Sequence, residues 1–302
     1  MTASEGTRTY RTMDVPVRGG DLRVGVWDDG TPGAPTVVAV HGVTASHLAW
    51  QLVAEALPGV RIVAPDLRGR GRSNELVGAA GMAAHADDLA AVFAHLGIPA
   101  GLVVGHSMGA FVSVAFAHRH PDLLTRLLLV DGGLPLSTPP GLSGEQLVAA
   151  ILGPTAERLS MRFPDVDAYL ALWRAHPAFA ANWTPQLEAY LAYDLVPDGE
   201  RLRPATSYQT TLEDTVDLNT GTTVTDALAA LAHPTRFLTV PRGLQNEEPG
   251  LYAPEHVTAL LADHPAVRHE RWDGLNHYTV VMSEQGARRV ADAVREELSA
   301  LA

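Results

Sequence analysis

Ser107 carries the strongest chemical signal in this sequence. It lies in Gly-His-Ser-Met-Gly at residues 105–109, directly after an apolar run at 102–105 and before a helix-length apolar segment at 108–119. A serine on a sharp turn between a strand and a helix presents its hydroxyl out of the sheet, and the flanking glycines let neighbouring backbone pass close by. The motif therefore predicts that Ser107 is a nucleophile.

A serine hydroxyl becomes nucleophilic when a neighbouring base takes its proton. Among the 13 histidines, His277 is the best candidate, because it lies in Gly-Leu-Asn-His-Tyr at 274–278, just after the last predicted strand at 267–272. His106 adjoins the serine but lies within the turn itself. We therefore predict that His277 is the general base.

Two backbone N–H groups are expected to bind the oxyanion that forms during acyl transfer. One is the N–H of Met108, because this residue follows the nucleophile at the start of a helix. The other is the N–H of Val43, in the loop His-Gly-Val-Thr at 41–44 that follows an apolar strand. The side chains of both residues are incidental to this role.

The segments that must position these groups alternate between strand and helix. Apolar runs at 36–41, 61–65, 102–105 and 126–130 are typical of strands buried on both faces of a parallel sheet, and amphipathic helical segments lie between them. This alternation predicts an α/β protein with a mostly parallel, doubly wound sheet.

The pattern changes after residue 131. A Gly- and Pro-rich loop is followed by helical patterning to about residue 230, and strand character returns at 235–240. We therefore predict a core of residues 1–134 and 235–302, with a helical cap of residues 135–234 inserted after the sixth strand.

Taken together, these motifs resemble the α/β-hydrolase superfamily, in particular its capped serine hydrolase branch. The resemblance rests on His-Gly at 41–42, Asp-Leu-Arg-Gly-Arg-Gly-Arg-Ser at 66–73, the 105–109 motif and His277, which occur in the family's order. That branch includes esterases, lactonases, C–C bond hydrolases, haloalkane dehalogenases and epoxide hydrolases. The last two use an aspartate nucleophile, so the serine at position 107 disfavours both activities.

The acid that orients the base is the least settled member of the expected triad. Where the family usually has an aspartate, after the strand that follows the cap, this sequence has Asn246, and a neutral amide cannot stabilise an imidazolium as a carboxylate does. Some capped relatives carry the acid at the end of the strand before the cap, where this chain has Asp131. We predict Asp131 as the acid, with Glu247 and then Glu248 as alternatives.

The resemblance implies hydrolysis of a carboxylic ester or lactone through an acyl-enzyme. Leu134, Trp183 and Tyr190 are our candidates for the substrate pocket, and the cap shows no basic pair suited to a dicarboxylate, which favours an uncharged, fairly hydrophobic substrate. Other aromatic or apolar side chains that could contribute are Met161, Trp173, Phe179, Tyr193 and Met108. Two alternatives remain, a hydrolase of C–C bonds next to a ketone and a non-catalytic ligand-binding relative.

Composition excludes several other classes of function. The formal net charge of −12 disfavours binding to nucleic acid or to an anionic membrane surface, and the absence of cysteine excludes disulfides and thiolate chemistry. The polar N-terminus predicts no signal peptide, no apolar stretch is long enough for a membrane span, and a cytoplasmic location is therefore expected. No cofactor or metal motif is found, and the oligomeric state is not predicted.

Overall fold

The computed structural model describes residues 8–76 and 78–301. The strands in these residues are β1 (Thr9–Val17), β2 (Gly20–Asp28), β3 (Thr36–Val40), β4 (Arg61–Pro65), β5 (Gly101–His106), β6 (Leu124–Val130), β7 (Leu195–Asp198), β8 (Arg201–Pro204), β9 (Thr235–Thr239) and β10 (Val267–Arg271). The α-helices are α1 (Gln51–Glu55), α2 (Met82–Leu96), α3 (Met108–Arg119), α4 (Gly144–Leu152), α5 (Pro154–Arg158), α6 (Val166–Arg174), α7 (Pro185–Tyr193), α8 (Tyr208–Thr220), α9 (Thr223–Ala229), α10 (Pro254–Asp263), α11 (Thr279–Met282) and α12 (Glu284–Ser299). Short 3-10 helices span His47–Trp50, Gly71–Ser73 and Pro121–Leu123.

Eight of these strands form one sheet in the order β1-β2-β4-β3-β5-β6-β9-β10. The β1–β2 and β2–β4 pairings are antiparallel, and every pairing from β4 to β10 is parallel. The mostly parallel α/β sheet predicted from the sequence is thus confirmed. Because parallel strands present their carboxyl ends at one edge, the loops after β3, β5, β6, β9 and β10 meet there.

The central strands are mostly apolar because both faces of the sheet are covered there by buried side chains. Along β3, Val37 and Ala39 belong to the buried cluster on one face, whereas Val38 and Val40 belong to the cluster on the other face. Successive side chains of a strand point to opposite faces, so a strand without an exposed face favours apolar side chains at successive positions. This explains the continuous valine runs.

The segment between β6 and β9 is the predicted insertion, and it is helical apart from one hairpin. The hairpin pairs β7 with β8 and was not predicted, because its short, only partly buried strands lack an apolar pattern. The last helix of the segment, α9, packs against α3 of the core. The division at residues 134 and 234 therefore stays a prediction. No helix among the described residues is both long enough and apolar enough to cross a membrane.

Candidate active site

Ser107 occupies a strained turn between β5 and α3 at the centre of the sheet. Its φ of 55° is unusual for a residue other than glycine. The neighbouring glycines leave room for this turn. An added Cβ at Gly105 would lie 2.4 Å from the Gly109 carbonyl oxygen, and one at Gly132 would lie 2.2 Å from the Ser107 carbonyl oxygen. Strain of this kind persists only when surrounding packing holds it, and it is typical of functional positions.

Ser107, His277 and Asp131 form a continuous hydrogen-bonded chain. The Nε2 atom of His277 lies 3.0 Å from the Ser107 Oγ, and its Nδ1 atom lies 2.7 Å from Asp131 Oδ2. Asp131 is fully buried just after β6, and His277 lies in the loop after β10. A carboxylate can only accept, so Nδ1 carries a proton and Nε2 is free to accept the serine hydroxyl.

The other acid candidates make different contacts. Glu247 accepts the N–H of Gln245 at 2.6 Å, within its own loop. Glu248 is exposed and lies 3.6 Å from Arg242. Asn246 has a φ of 64°, and its side-chain oxygen accepts a hydrogen bond from Asn276 at 3.1 Å.

His106, which sequence reasoning set aside, contacts the base directly. Its Nε2 atom lies 2.8 Å from the His277 carbonyl oxygen, and the two imidazole rings are 4.8 Å apart. Burial and the neighbouring His277 lower the pKa of His106 well below its usual value, so the ring is neutral and donates from Nε2. On the other side, the His277 N–H donates to the Arg242 carbonyl oxygen at 2.9 Å. The backbone of His277 is therefore held at both its N–H and its C=O.

The loop after β3 passes directly beside the serine. An added Cβ at Gly42 would lie 3.0 Å from the Ser107 Cβ. His41 accepts the Leu67 N–H at Nε2 (2.9 Å) and therefore donates from Nδ1 to the Gly42 oxygen (2.7 Å). Burial lowers the pKa of His41 to about 4, so this neutral tautomer persists at neutral pH.

The His41 contact orients the peptide between Gly42 and Val43. In a trans peptide the C=O and N–H point in opposite directions, so the Val43 N–H points away from His41. Met108 is the first residue of α3, and its N–H has no acceptor within the helix. Val43 and Met108 both line the cavity that contains Ser107. This arrangement suits two donors to one oxyanion.

That cavity lies between the core and the inserted segment. It has about 740 Å³ of empty space, which includes the part open to solvent. Its walls are mostly apolar and include Phe111, Leu136, Ile151, Leu152, Leu218 and Met282. Two carboxylates also line it, those of Asp131 and Asp214, and each is hydrogen-bonded to a histidine. The described lining residues include no arginine.

Of the three residues predicted to form the pocket, Tyr190 lines this cavity, and so does Met108. Leu134 does not, because it is fully buried in the core. Trp183 does not either, since its ring lies beneath the Arg174 guanidinium and its N–H donates to Glu188.

The remaining cap candidates also lie elsewhere. Trp173 and Phe179 pack against each other with Tyr278, and Tyr193 donates a hydrogen bond to Asp66. Met161 is exposed. Aromatic composition could not separate side chains that pack the cap from those that face the cavity. Within residues 8–76 and 78–301, no group of three His, Asp or Glu side chains is arranged to hold a metal ion.

Comparison with known proteins gives one family match and several similar proteins. Residues 35–213 match the family model for the alpha/beta hydrolase fold. A Bacillus subtilis protein provisionally named 2-succinyl-6-hydroxy-2,4-cyclohexadiene-1-carboxylate synthase is 28% identical over 57% of this chain and 61% of its own length. Lipase LipV of Mycobacterium tuberculosis is 33% identical over 46% of this chain and 55% of its own length. The matches thus span less than two thirds of these curated relatives.

Solved structures of other proteins match the fold of this chain over nearly its whole length. The thioesterase domain from the curacin biosynthetic pathway superposes with a TM-score of 0.75, covering 95% of this chain and 99% of that domain at 23% identity. At this identity the likeness concerns the fold alone.

Proposed function

We propose that this chain, which belongs to the α/β-hydrolase fold family, is a serine hydrolase acting on a carboxylic ester or lactone. The observation that supports this most directly is the hydrogen-bonded chain from Ser107 Oγ through His277 to Asp131, at 3.0 and 2.7 Å. Nucleophile, base and acid are within reach of one another without rearrangement.

The proposed reaction proceeds through an acyl-enzyme. His277 Nε2 takes the hydroxyl proton as Ser107 Oγ attacks the ester carbonyl carbon, and the N–H groups of Val43 and Met108 bind the resulting oxyanion. The Asp131 carboxylate stabilises the imidazolium. His277 then gives its proton to the departing alcohol oxygen as the C–O bond breaks. Water attacks the acyl group by the same route, which releases the carboxylic acid and regenerates Ser107.

The cavity walls support an uncharged, hydrophobic substrate. Apolar side chains dominate the lining, and the described lining residues include no arginine that would bind an anionic substrate. Burial raises the pKa of Tyr190, so its hydroxyl stays protonated and is available to bind a neutral polar group of the substrate. A preference for polyanionic esters in a substrate panel would contradict this part of the proposal.

A substrate panel combined with a fluorophosphonate probe tests the function. The panel contains p-nitrophenyl acetate and butyrate, a γ-lactone, and a ketone with a cleavable neighbouring C–C bond. The wild-type chain is expected to hydrolyse an ester or the lactone and to be labelled once, and Ser107→Ala is expected to abolish both signals. Ser113→Ala is the matched control, because this buried serine on the same helix donates only to Gly109 within α3. Binding of a panel compound by both wild type and Ser107→Ala, without turnover, would instead support a ligand-binding protein.

A further inference from the structure

Arg70 contacts both residues that supply the proposed oxyanion-hole donors. It is fully buried in the turn between β4 and α2, and its Nε donates to the Val43 carbonyl oxygen at 2.8 Å. Its Nη2 lies 3.8 Å from Met108 Sδ. No chemical role was predicted for Arg70 from the sequence, because its contacts are visible only in the folded chain.

The contact with Val43 completes a clamp on both sides of that residue. The peptide before Val43 is held through the Gly42 oxygen by His41, and the peptide after it is held through the Val43 oxygen by Arg70. Fixing both peptide planes leaves little freedom in φ and ψ of Val43, so the direction of its N–H is set. Oxyanion stabilisation depends on donors that are aligned in advance, and misplacement by about 1 Å costs about 10²-fold in rate.

The positive charge of the Arg70 guanidinium is balanced by a carboxylate of the inserted segment. Arg70 Nη1 lies 2.5 Å from Asp214 Oδ2 on α8, and the same nitrogen donates to the Arg68 oxygen at 2.8 Å. Asp214 is fully buried as well, and it also accepts the Gly81 N–H at 2.7 Å and contacts His85 Nε2 at 3.0 Å. A charge buried this deeply needs its partner, so Arg70 holds its position only while α8 is docked.

A second contact joins α8 to the same turn. The N–H of Ser207, which caps the start of α8, donates to the Gly69 oxygen at 2.8 Å. Gly69 has a φ of 78°, and a Cβ at this position would lie 2.7 Å from the Thr210 hydroxyl on α8. The helix and the turn therefore fit closely, and displacement of one must disturb the other.

We propose that Arg70 is a positioning residue that couples docking of α8 to alignment of the Val43 N–H in the oxyanion hole. This role rests on the proposed serine hydrolase function. Arg70 touches neither the substrate nor the triad, and it acts through the Val43 backbone. The reaction therefore depends on the inserted segment being seated, even for substrates too small to contact it.

The test separates transition-state stabilisation from folding and from substrate binding. Arg70→Met is expected to lower kcat by about 10²-fold with KM changed less than about threefold, because the ground-state carbonyl gains little from the hole. Arg70→Lys is expected to recover only part of this loss, since an ammonium cannot reproduce the forked contacts. The pH profile of kcat/KM is expected to keep its wild-type shape, because the His277–Asp131 contact is intact.

Two further variants keep the outcome interpretable. Arg70→Met combined with Asp214→Asn removes both buried charges but keeps an amide oxygen that can accept the Gly81 N–H, so the chain is expected to fold while the Val43 oxygen still loses its donor, and the same fall in kcat is expected. Arg72→Met is the matched control, because Arg72 lies in the same turn and donates to Tyr193 of the inserted segment without touching Val43. Its kcat is expected to stay near the wild-type value.

The outcomes distinguish the two proposals. A wild-type chain that turns over an ester while folded Arg70 variants keep kcat within about threefold would overturn the coupling alone. An equal loss in Arg72→Met, or a loss confined to KM, would also overturn it. A wild-type chain that neither turns over any panel compound nor reacts with the probe would overturn the proposed function and the coupling with it.

Discussion

Replacing Asp131 by asparagine tests the acid of the proposed triad, for which the sequence alone left more than one candidate. Both oxygens of this buried carboxylate accept hydrogen bonds, Oδ2 from His277 Nδ1 at 2.7 Å and Oδ1 from the Val240 N–H at 3.3 Å. Asparagine has nearly the same shape but only one oxygen, so one of these two donors must face an NH₂ group. The substitution therefore changes charge and hydrogen bonding while leaving the packing almost unchanged.

Either orientation of the amide impairs the base. If the NH₂ group faces His277, the imidazole must carry its proton on Nε2 and cannot accept the Ser107 proton. If the oxygen faces His277, the correct tautomer survives, but the negative charge that stabilises the imidazolium is lost. The same change in a serine protease triad lowers kcat by about 10⁴-fold, which corresponds to about 5.5 kcal/mol, and we expect a loss of that order here.

The assay is the steady-state hydrolysis of p-nitrophenyl butyrate, with thermal unfolding measured in parallel. Glu247→Gln is the matched control, because it is also a carboxylate-to-amide change, in the loop where the acid could otherwise lie. The Glu247 carboxylate is turned towards the Gln245 N–H, so kcat is expected to change less than about threefold. The reasoning would be refuted if Asp131→Asn kept more than a tenth of wild-type kcat while Glu247→Gln lost several orders of magnitude.

Three further predictions follow from individual contacts. Gly132→Ala is expected to lower kcat by at least about 10²-fold in the same assay, because the new methyl group would lie 2.2 Å from the Ser107 carbonyl oxygen and displace the turn. Unaltered kcat would show that the turn can relax. Met282 and Tyr190 line both the active-site cavity and a smaller, mostly apolar cavity beside α1, so Met282→Ala is expected to raise the octanoate-to-acetate ratio of kcat/KM in a p-nitrophenyl ester series; a constant ratio would contradict this. Burial works to raise the pKa of Asp66, but His47, His41 and the hydrogen bond from the Arg72 N–H together hold this pKa at about 2. Because its pKa is lower in the folded chain, ionised Asp66 stabilises the fold fully above about pH 4, which is the pKa of an aspartate in the unfolded chain. This stabilisation is lost as the pH falls towards 2. Urea unfolding from pH 5 to 2.5 is expected to show this loss in wild type and a weaker pH dependence in Asp66→Asn.

Much of the fold was predictable because its signals are local. The valine-rich runs predicted strands buried on both faces, and the alternation with helical segments predicted the parallel sheet. The hairpin of β7 and β8 was missed, since strands of four residues that are only partly buried carry no periodic apolar signal.

The functional residues were likewise only partly predictable from the sequence. Residue types and their order along the chain were sufficient to nominate Ser107 and His277, because a strand–turn–helix motif and a loop after the last strand are local features. Which carboxylate contacts His277 was decided only by folding, since Asp131 and Glu247 both precede the histidine at the ends of neighbouring strands. The residues that line the cavity, and the contact of Arg70 with Val43, likewise depend on side-chain directions and long-range packing. A linear pattern does not contain those distances.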